Sequence, residues 1–168
     1  LRAEAGERRP LDAFLHELLV RWQALRPDVT ARVTLTGSTP APQIVAEQTL
    51  AQAITNILNN AADASPADVT VDGRWTDAAL TLDIADRGPG LAPEIKETLG
   101  TPFATTKGEG LGLGLFLAQN VFNRLGGSLQ FSARAGGGLH CRLTLPLAAL
   151  RIIEADRNVP SPSGREPG

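Results

Sequence analysis

The sequence contains no methionine, so these residues include no initiator and are expected to be a fragment or a processed product. It has one cysteine, Cys141, which excludes an internal disulfide and a multi-cysteine metal site. It has little excess charge of either sign: 16 Lys and Arg against 18 Asp and Glu give a formal charge of −2. Binding nucleic acid through a basic surface needs a strong positive field, and this balance does not supply one. No apolar run approaches the ~18 residues that span a bilayer. Leu1-Arg2-Ala3-Glu4-Ala5-Gly6 lacks the basic start and apolar core of a secretory signal. Neither a nucleic-acid partner nor membrane contact by these residues is therefore expected. What remains is a chain of 168 residues, 42% apolar and 20% charged, which fits one globular domain with its own core.

Leu11, Phe14, Leu15, Leu18, Leu19, Trp22 and Leu25 recur at helical spacing, which predicts a helix with one buried face, ended by Pro27-Asp28. Residues 29–36 alternate as a strand does, and the cluster over 37–42 reads as a loop. A second helix is expected over 45–64, stopped by Ser65-Pro66. Strands follow at 69–75 and 79–85, joined as a hairpin through Thr76-Asp77-Ala78. Leu80, Leu82 and Ile84 share one face, so the sheet should be covered on one side. Residues 86–114 are rich in glycine and proline, with one short helical stretch over 93–99. A third helix is expected over 112–125, capped by Gly126-Gly127. A last hairpin joins 128–133 to 139–145 through Gly136-Gly137-Gly138. The order α-β-α-β-β-α-β-β predicts a two-layer α/β sandwich, one mixed, mainly antiparallel sheet with the helices on one face. The domain is expected over 11–150, after a linker over 1–10 and before a disordered tail over 151–168.

Three stretches carry chemistry. At about 100° per residue, Leu50, Ile54, Ile57, Leu58 and Ala61 fall on one side of the second helix, and Gln52, Asn56, Asn60 and Asp63 on the other. An Asn carbonyl is a neutral oxygen ligand suited to Mg²⁺, which takes its remaining ligands from water and phosphate. Taken alone, the same residues also suit a plain solvated face. Next, Asp86-Arg87-Gly88-Pro89-Gly90 follows a strand directly. Gly88 and Gly90 let the backbone turn and approach a ligand, and the Asp86 carboxylate offers an acceptor for an exocyclic amine. Any strand-to-loop turn can use such a motif. Finally, Gly108-Glu109-Gly110-Leu111-Gly112-Leu113-Gly114-Leu115 alternates four glycines and leads into a helix. Unobstructed backbone N–H groups with a helix N-terminus behind them make an anion site fit for polyphosphate. A flexible hinge is the alternative, but a hinge would not continue into the apolar run Leu115-Phe116-Leu117. The spacing is neither the Walker A pattern nor the dinucleotide fingerprint.

Asn56-Ile57-Leu58-Asn59-Asn60-Ala61 is similar to an N box, and Asp86-x-Gly88-x-Gly90 to a first glycine box. Pro102-Phe103-Ala104-Thr105-Thr106-Lys107 looks like an F box, and Gly108-x-Gly110-Leu111-Gly112-Leu113-Gly114 like a second glycine box. With these four in order, the chain over roughly 46–146 resembles the ATP-binding catalytic domain of sensor histidine kinases. That family lies within the Bergerat-fold (GHKL) group, with the gyrase, Hsp90 and MutL ATPases. The Asn60-Ala61-Ala62-Asp63-Ala64-Ser65 and Phe103-Ala104-Thr105-Thr106-Lys107 stretches look most like its redox-responsive RegB (PrrB) members.

The resemblance implies ATP and Mg²⁺ as cofactors and assigns roles. Asn60 would ligate Mg²⁺, Asn56 would sit near the phosphates, and Asp63 would complete that side of the site. Asp86 would accept the adenine amine beside Gly88 and Gly90. The backbone of Gly110, Leu111, Gly112, Leu113 and Gly114 would hold phosphate. Thr105, Thr106 and Lys107 would belong to a lid, with Lys107 partnering the terminal phosphate and, with Asn56, serving catalysis. Guanine presents a carbonyl where adenine presents a donor, and an unpaired buried carboxylate costs about 1–3 kcal/mol, which favours ATP over GTP. The gyrase-like ATPases have a water-activating glutamate at the position of Asn56. An amide cannot accept that proton, which points to transfer onto another nucleophile. Gly138-Leu139-His140-Cys141 stands where the family often has Gly-Thr-x-Phe, so no threonine contact carries over.

The family's phosphoacceptor histidine stands in a His-Glu-x-x-x-Pro setting on a separate dimerising domain. His16-Glu17-Leu18 mimics its start, but the proline position is Arg21, and His16 lies in a helix whose stripe faces this domain's own sheet. His140 reads as an ordinary strand residue. Cys141 alternates with Leu139 and Leu143 and reads as a small core hydrophobe. The implied partners are therefore an absent dimerisation and histidine-phosphotransfer domain, reached through residues 1–10, and a cognate response regulator. Such kinases are usually anchored in the bacterial inner membrane, with this domain in the cytoplasm. Three other readings remain open: a self-contained ATPase of the same fold, an anti-sigma-type serine kinase, and a degenerate module that docks partners without turnover.

Overall fold

In the computed structural model, which describes residues 7–90 and 111–151 (the backbone alone at 111–113), residues at strand and helix periods sort into two layers. In chain order the elements are β1 (Glu7–Pro10), α1 (Leu11–Leu25), β2 (Ala31–Gly37), β3 (Gln43–Ala46), α2 (Gln48–Ala64), β4 (Val69–Trp75) and β5 (Ala79–Asp86). Then come α3 (Leu111–Arg124), β6 (Ser128–Ala133), β7 (Leu139–Pro146) and a 3-10 turn over Leu147–Leu150. Five strands form one sheet in the order β2-β4-β5-β7-β6, and β1 pairs with β3 in a separate two-stranded sheet. In the larger sheet β2 and β4 run parallel, joined by a crossover that carries α2, and the other pairs are antiparallel. The mixed, mainly antiparallel sheet with helices on one face is thus the observed architecture.

Register sorts the two faces of the sheet. Val71, Ile84 and Cys141 stand side by side in one row, and Leu82, Leu143 and Leu129 in the next. All six are buried, and they join Leu50, Ile54, Ile57 and Leu58 of α2 and Leu115, Ala118 and Phe122 of α3 in one core. The opposite face carries Thr34, Asp72, Asp83, Arg142 and Gln130 in a single row.

The two inner helices are pinned to each other. Glu47, just before α2, is buried and takes an ion pair from Arg124 of α3 at 3.1 Å. The C-terminus of α3 closes as a Schellman motif, with the Gly126 N–H donating to the Asn123 carbonyl at 3.1 Å and the Gly127 N–H to the Phe122 carbonyl at 2.7 Å. Gly126 has φ 79°, the left-handed region that glycine tolerates.

The structure departs from the expectations at three places. Helical spacing starts the second helix at residue 45, whereas α2 starts at Gln48. Ile44 and Val45 are instead buried in β3, where ladder pairing with β1 and β-branched packing outweigh helical periodicity. The same ladder takes four residues, Glu7–Pro10, of the segment expected as linker. Leu25, the last member of the α1 stripe, is 75% exposed, because the helix ends there, beyond its last packed turn. In addition, α1 packs mainly on β1, β3 and α2 rather than on the five-stranded sheet. The expected helix over 93–99 and tail over 152–168 lie outside the described residues. Among those described, no helix is long and apolar enough to cross a membrane.

Asp83 organises the open face. Its carboxylate accepts from Arg142 Nε at 2.8 Å and Arg74 Nη2 at 2.8 Å, and His140 Nε2 lies 2.7 Å away. Arg74 also pairs with Asp72 at 3.1 Å. Burial pushes the Asp83 carboxyl up, but the bonds from Arg142, Arg74 and His140 outweigh it and lower it from 3.8 to about 2. A carboxyl depressed by folding stabilises fully above its unfolded value and loses that contribution as pH falls through the folded one. Urea titrations should therefore show stability falling between about pH 5 and pH 2. Asp83→Asn should cost about 2 kcal/mol at pH 7 and flatten that slope. An unchanged slope in the variant would contradict the assignment.

Candidate functional site

The apolar side of α2 is taken up by the core, which leaves its amide side to form one wall of a cavity of about 640 Å³. That volume is in the range of small-molecule sites. The cavity lies between α2, the end of β5, the first turns of α3 and the β6–β7 hairpin. Its polar lining includes Asn56, Asn60, Asp63, Asp86, Gly90 and Gly114, drawn from three of the stretches singled out in the sequence. Its apolar lining includes Ile84, Leu115, Phe131, Leu139 and Cys141. A flat apolar ring with a polar edge suits this floor, and a charged tail suits the amide wall.

Each expected residue has a definite place. Asp86 ends β5 and is 3% exposed, with its Oδ1 accepting from the Gly88 N–H at 2.8 Å and the Leu139 N–H at 3.3 Å. Gly88 stands outside the lining and packs on the end of α2, where an added Cβ would come within 2.6 Å of Ala64 Cβ. Asn56 accepts from Gln52 Nε2 at 3.2 Å. Asn60 Nδ2 is one of two buried side-chain polar atoms without a partner among the described residues. Such a group is costly unless a ligand satisfies it. Asp63 lines the cavity while pairing with Arg26 Nη2 at 3.1 Å, and it is 70% exposed. Gly114 faces Asn56 across the α2–α3 contact. Leu111, Gly112 and Leu113 form the first turn of α3. Thr105, Thr106, Lys107 and Gly110 lie outside the described residues.

Among the described residues no three His, Cys, Asp or Glu side chains gather as a metal site. A cation here would therefore take most of its oxygens from a bound ligand, with an Asn amide as the protein's share. That is the coordination habit of Mg²⁺ bound with phosphates. The Asn60 Oδ1 is the atom suited to such a cation, while its buried, unpartnered Nδ2 is a donor suited to an oxygen of the ligand itself.

The remaining candidates stand apart. His140 faces Asp83 on the open side of the sheet, and His16 is exposed on α1. Cys141 is 3% exposed, and burial, then the Asp83 charge, pushes its thiol far above the ordinary value. It stays protonated and serves as floor.

Sequence reading missed the support of the amide wall. Asn59, between the two wall amides, accepts from Trp22 Nε1 at 3.0 Å and Arg26 Nη1 at 3.1 Å. Arg26 also pairs with Asp28 and Asp63. These partners stand 37 and 33 residues from Asn59 and leave no local pattern.

Residues 45–149 match the family model described as "Histidine kinase-, DNA gyrase B-, and HSP90-like ATPase". The C4-dicarboxylate transport sensor protein DctS of Rhodobacter capsulatus is 37% identical over 109 residues, 64% of this chain and 17% of DctS. Sensor histidine kinase RegB of Cereibacter sphaeroides is 31% identical over 110 residues, 59% of this chain and 24% of RegB. This chain thus spans under a quarter of either relative. The solved structure of the mycobacterial sensor histidine kinase MprB superposes with a TM-score of 0.66 at 28% identity, covering 84% of this chain and 97% of that one.

Asn59→Ala should leave the buried Trp22 N–H unpaired and cost about 1–3 kcal/mol in denaturant unfolding. Combined with Trp22→Phe, it should cost less than the sum of the two single changes. Simple additivity would mean that the bond contributes nothing.

Proposed function

The chain belongs to the histidine kinase-, DNA gyrase B- and HSP90-like ATPase family, homologous to sensor histidine kinase catalytic domains, and we propose that it is such a domain within a two-component kinase. On this reading it positions Mg-ATP so that the γ-phosphoryl group passes to a histidine on a separate helical domain. The observation that supports it best is the meeting of Asn60, Asp86 and Gly114 around one cavity. When bound, Mg²⁺ would offset the negative charge of the phosphates.

The chain's own residues do the rest. Asn60 would hold the metal through its amide oxygen, with Asn56 and Asp63 bordering the phosphates. Backbone N–H groups from Gly110 to Gly114 hold the polyphosphate at the N-terminus of α3. Thr105, Thr106 and Lys107 close over the nucleotide, with Lys107 on its terminal phosphate. Asp86, flanked by Gly88 and Gly90, accepts the adenine amine. Leu139, Phe131 and Cys141 exclude water from the ring.

The Asn56 carboxamide, already accepting from Gln52, cannot take a proton from water. That favours phosphoryl transfer over the self-contained ATPase reading. Phosphoryl transfer asks for positioning and charge neutralisation, and this site has groups for both. The nucleophile belongs to the partner domain, which lies ahead of β1, and the catalytic domain runs from β1 to residue 150, with a tail after it. A response regulator receives the phosphoryl group, and the whole protein is anchored in the bacterial inner membrane with this domain in the cytoplasm. A RegB-type placement rests on the residue 60–65 and 103–107 stretches, and nothing in the mechanism depends on it.

Mg-ATP at 100 times its dissociation constant should stabilise the chain by about 2.7 kcal/mol, read as a rise in Tm. GTP should give a far smaller rise. Asn60→Ala should abolish the magnesium dependence, and Asp86→Asn the preference for ATP. With radiolabelled ATP the chain alone should stay unlabelled while a supplied phosphoacceptor domain acquires label. Stable label on the isolated chain, or steady phosphate release lost in Asn60→Ala, would overturn the reading.

A further inference from the structure

The carboxylate at the end of β5 is held by more than its own turn. Both described bonds to its side chain fall on Oδ1, and one donor, the Leu139 N–H, lies 53 residues away in sequence. Leu139 reaches Asp86 because it opens β7, one step beyond the Ala85–His140 pair of the β5–β7 ladder, and the β6–β7 turn that precedes it closes over the same strand end. Two arginines that do not line the cavity hold that turn in place. Arg87 Nη1 donates to the Ala135 carbonyl at 2.5 Å and to the Gly137 carbonyl at 2.9 Å. Arg134 Nη1 donates back to the Asp86 peptide carbonyl at 3.1 Å. The Arg87 N–H donates to Ser65 Oγ at 2.8 Å, which ties the strand end to the end of α2 as well. The approach is tight: a Cβ at Gly138 would lie 2.0 Å from the Asp86 carbonyl oxygen, and Gly138 has φ 113°, so only glycine fits there.

We propose that Arg87 and Arg134 form a clasp that fixes the Asp86 carboxylate with Oδ1 bound to backbone amides and Oδ2 free to accept a purine's 6-amino group. The inference rests on the nucleotide reading above and adds the residues that set base selectivity. Arg87 touches neither base nor phosphate; it is a positioning residue. With the turn clasped, the carboxylate is oriented before the ligand arrives, so binding does not have to order it. With the clasp released, the Leu139 amide withdraws, Asp86 gains alternative rotamers, and the advantage of a ligand carrying the amine shrinks.

The test is a titration of the unaltered chain, Arg87→Ala, Arg87→Lys and Arg134→Ala with two magnesium–nucleotide complexes. One is ATP, and the other is purine riboside triphosphate, which lacks only the 6-amino group. Arg87→Ala should weaken ATP about tenfold, the scale of one hydrogen bond to a charged group, and change the analogue by less than about twofold. Arg134→Ala should narrow the ratio in the same direction. Arg87→Lys, which keeps a donor within reach of the turn carbonyls, should restore part of it. Equal weakening of both nucleotides would make Arg87 merely structural and overturn the inference, as would an unchanged preference for ATP in both alanine variants. If Arg87→Ala does not fold, the Arg134→Ala ratio decides in the same way. Failure of the unaltered chain to bind ATP would overturn the nucleotide reading itself, and this inference with it.

Discussion

The packing of the apolar side of α2 against the five-stranded sheet is the interaction on which the rest of the molecule depends. Leu50, Ile54, Ile57, Leu58 and Ala61 are each 4% exposed or less, and burying each large side chain among them contributes about 1.5–3 kcal/mol. That packing fixes the roll of the helix about its axis, and the roll leaves the amides no direction but the cavity. Asn59 then locks the same roll from outside, by holding Trp22 and Arg26 against the helix. One helix thus carries a core face, a ligand face and, between them, an anchor to α1.

Period was the readable part of this fold. The strands over 69–75 and 79–85 and the amide face of α2 follow from alternation and helical spacing. The expected strand limits fall within one residue of β4 and β5. Asn56, Asn60, Asp86 and Gly114 were recognisable because their spacing matches family motifs, and those motifs sit on elements that periodicity places well. What could not be read was pairing between distant residues. β3 is four residues long, too short to show a period. Its identity comes from β1, more than thirty positions away. The bonds from Trp22 to Asn59 and from Arg87 to Gly137 have the same character, because nothing local to any of these residues names its partner. Gly88 shows the converse, since its motif was legible but its contact with Ala64 was not.

The two faces of the sheet divide the molecule's electrostatics. The helix-covered face buries a cysteine that stays neutral. The open face gathers Asp72, Arg74, Asp83, His140 and Arg142 into paired charges. The buried carboxylate that serves the cavity, Asp86, sits at the last position of β5, where the strand gives way to turn. It can therefore be held by main-chain amides instead of by arginine charge. The arginine beside it, Arg134, grips the peptide carbonyl of Asp86 and leaves its carboxylate to the main-chain amides.

Strand β7 serves both faces at once. Cys141 and Leu143 point into the core, while His140 and Arg142 point toward Asp83. Side chains alternate along a strand, so these assignments have a parity. A one-residue slip of β7 against β5 would carry Arg142 into the row of core side chains and turn Cys141 out to water, whereas a two-residue slip would keep every side chain on its own side. Residues added within the three-glycine turn leave that parity untouched, because the ladder with β5, and not the turn, holds β7 in place.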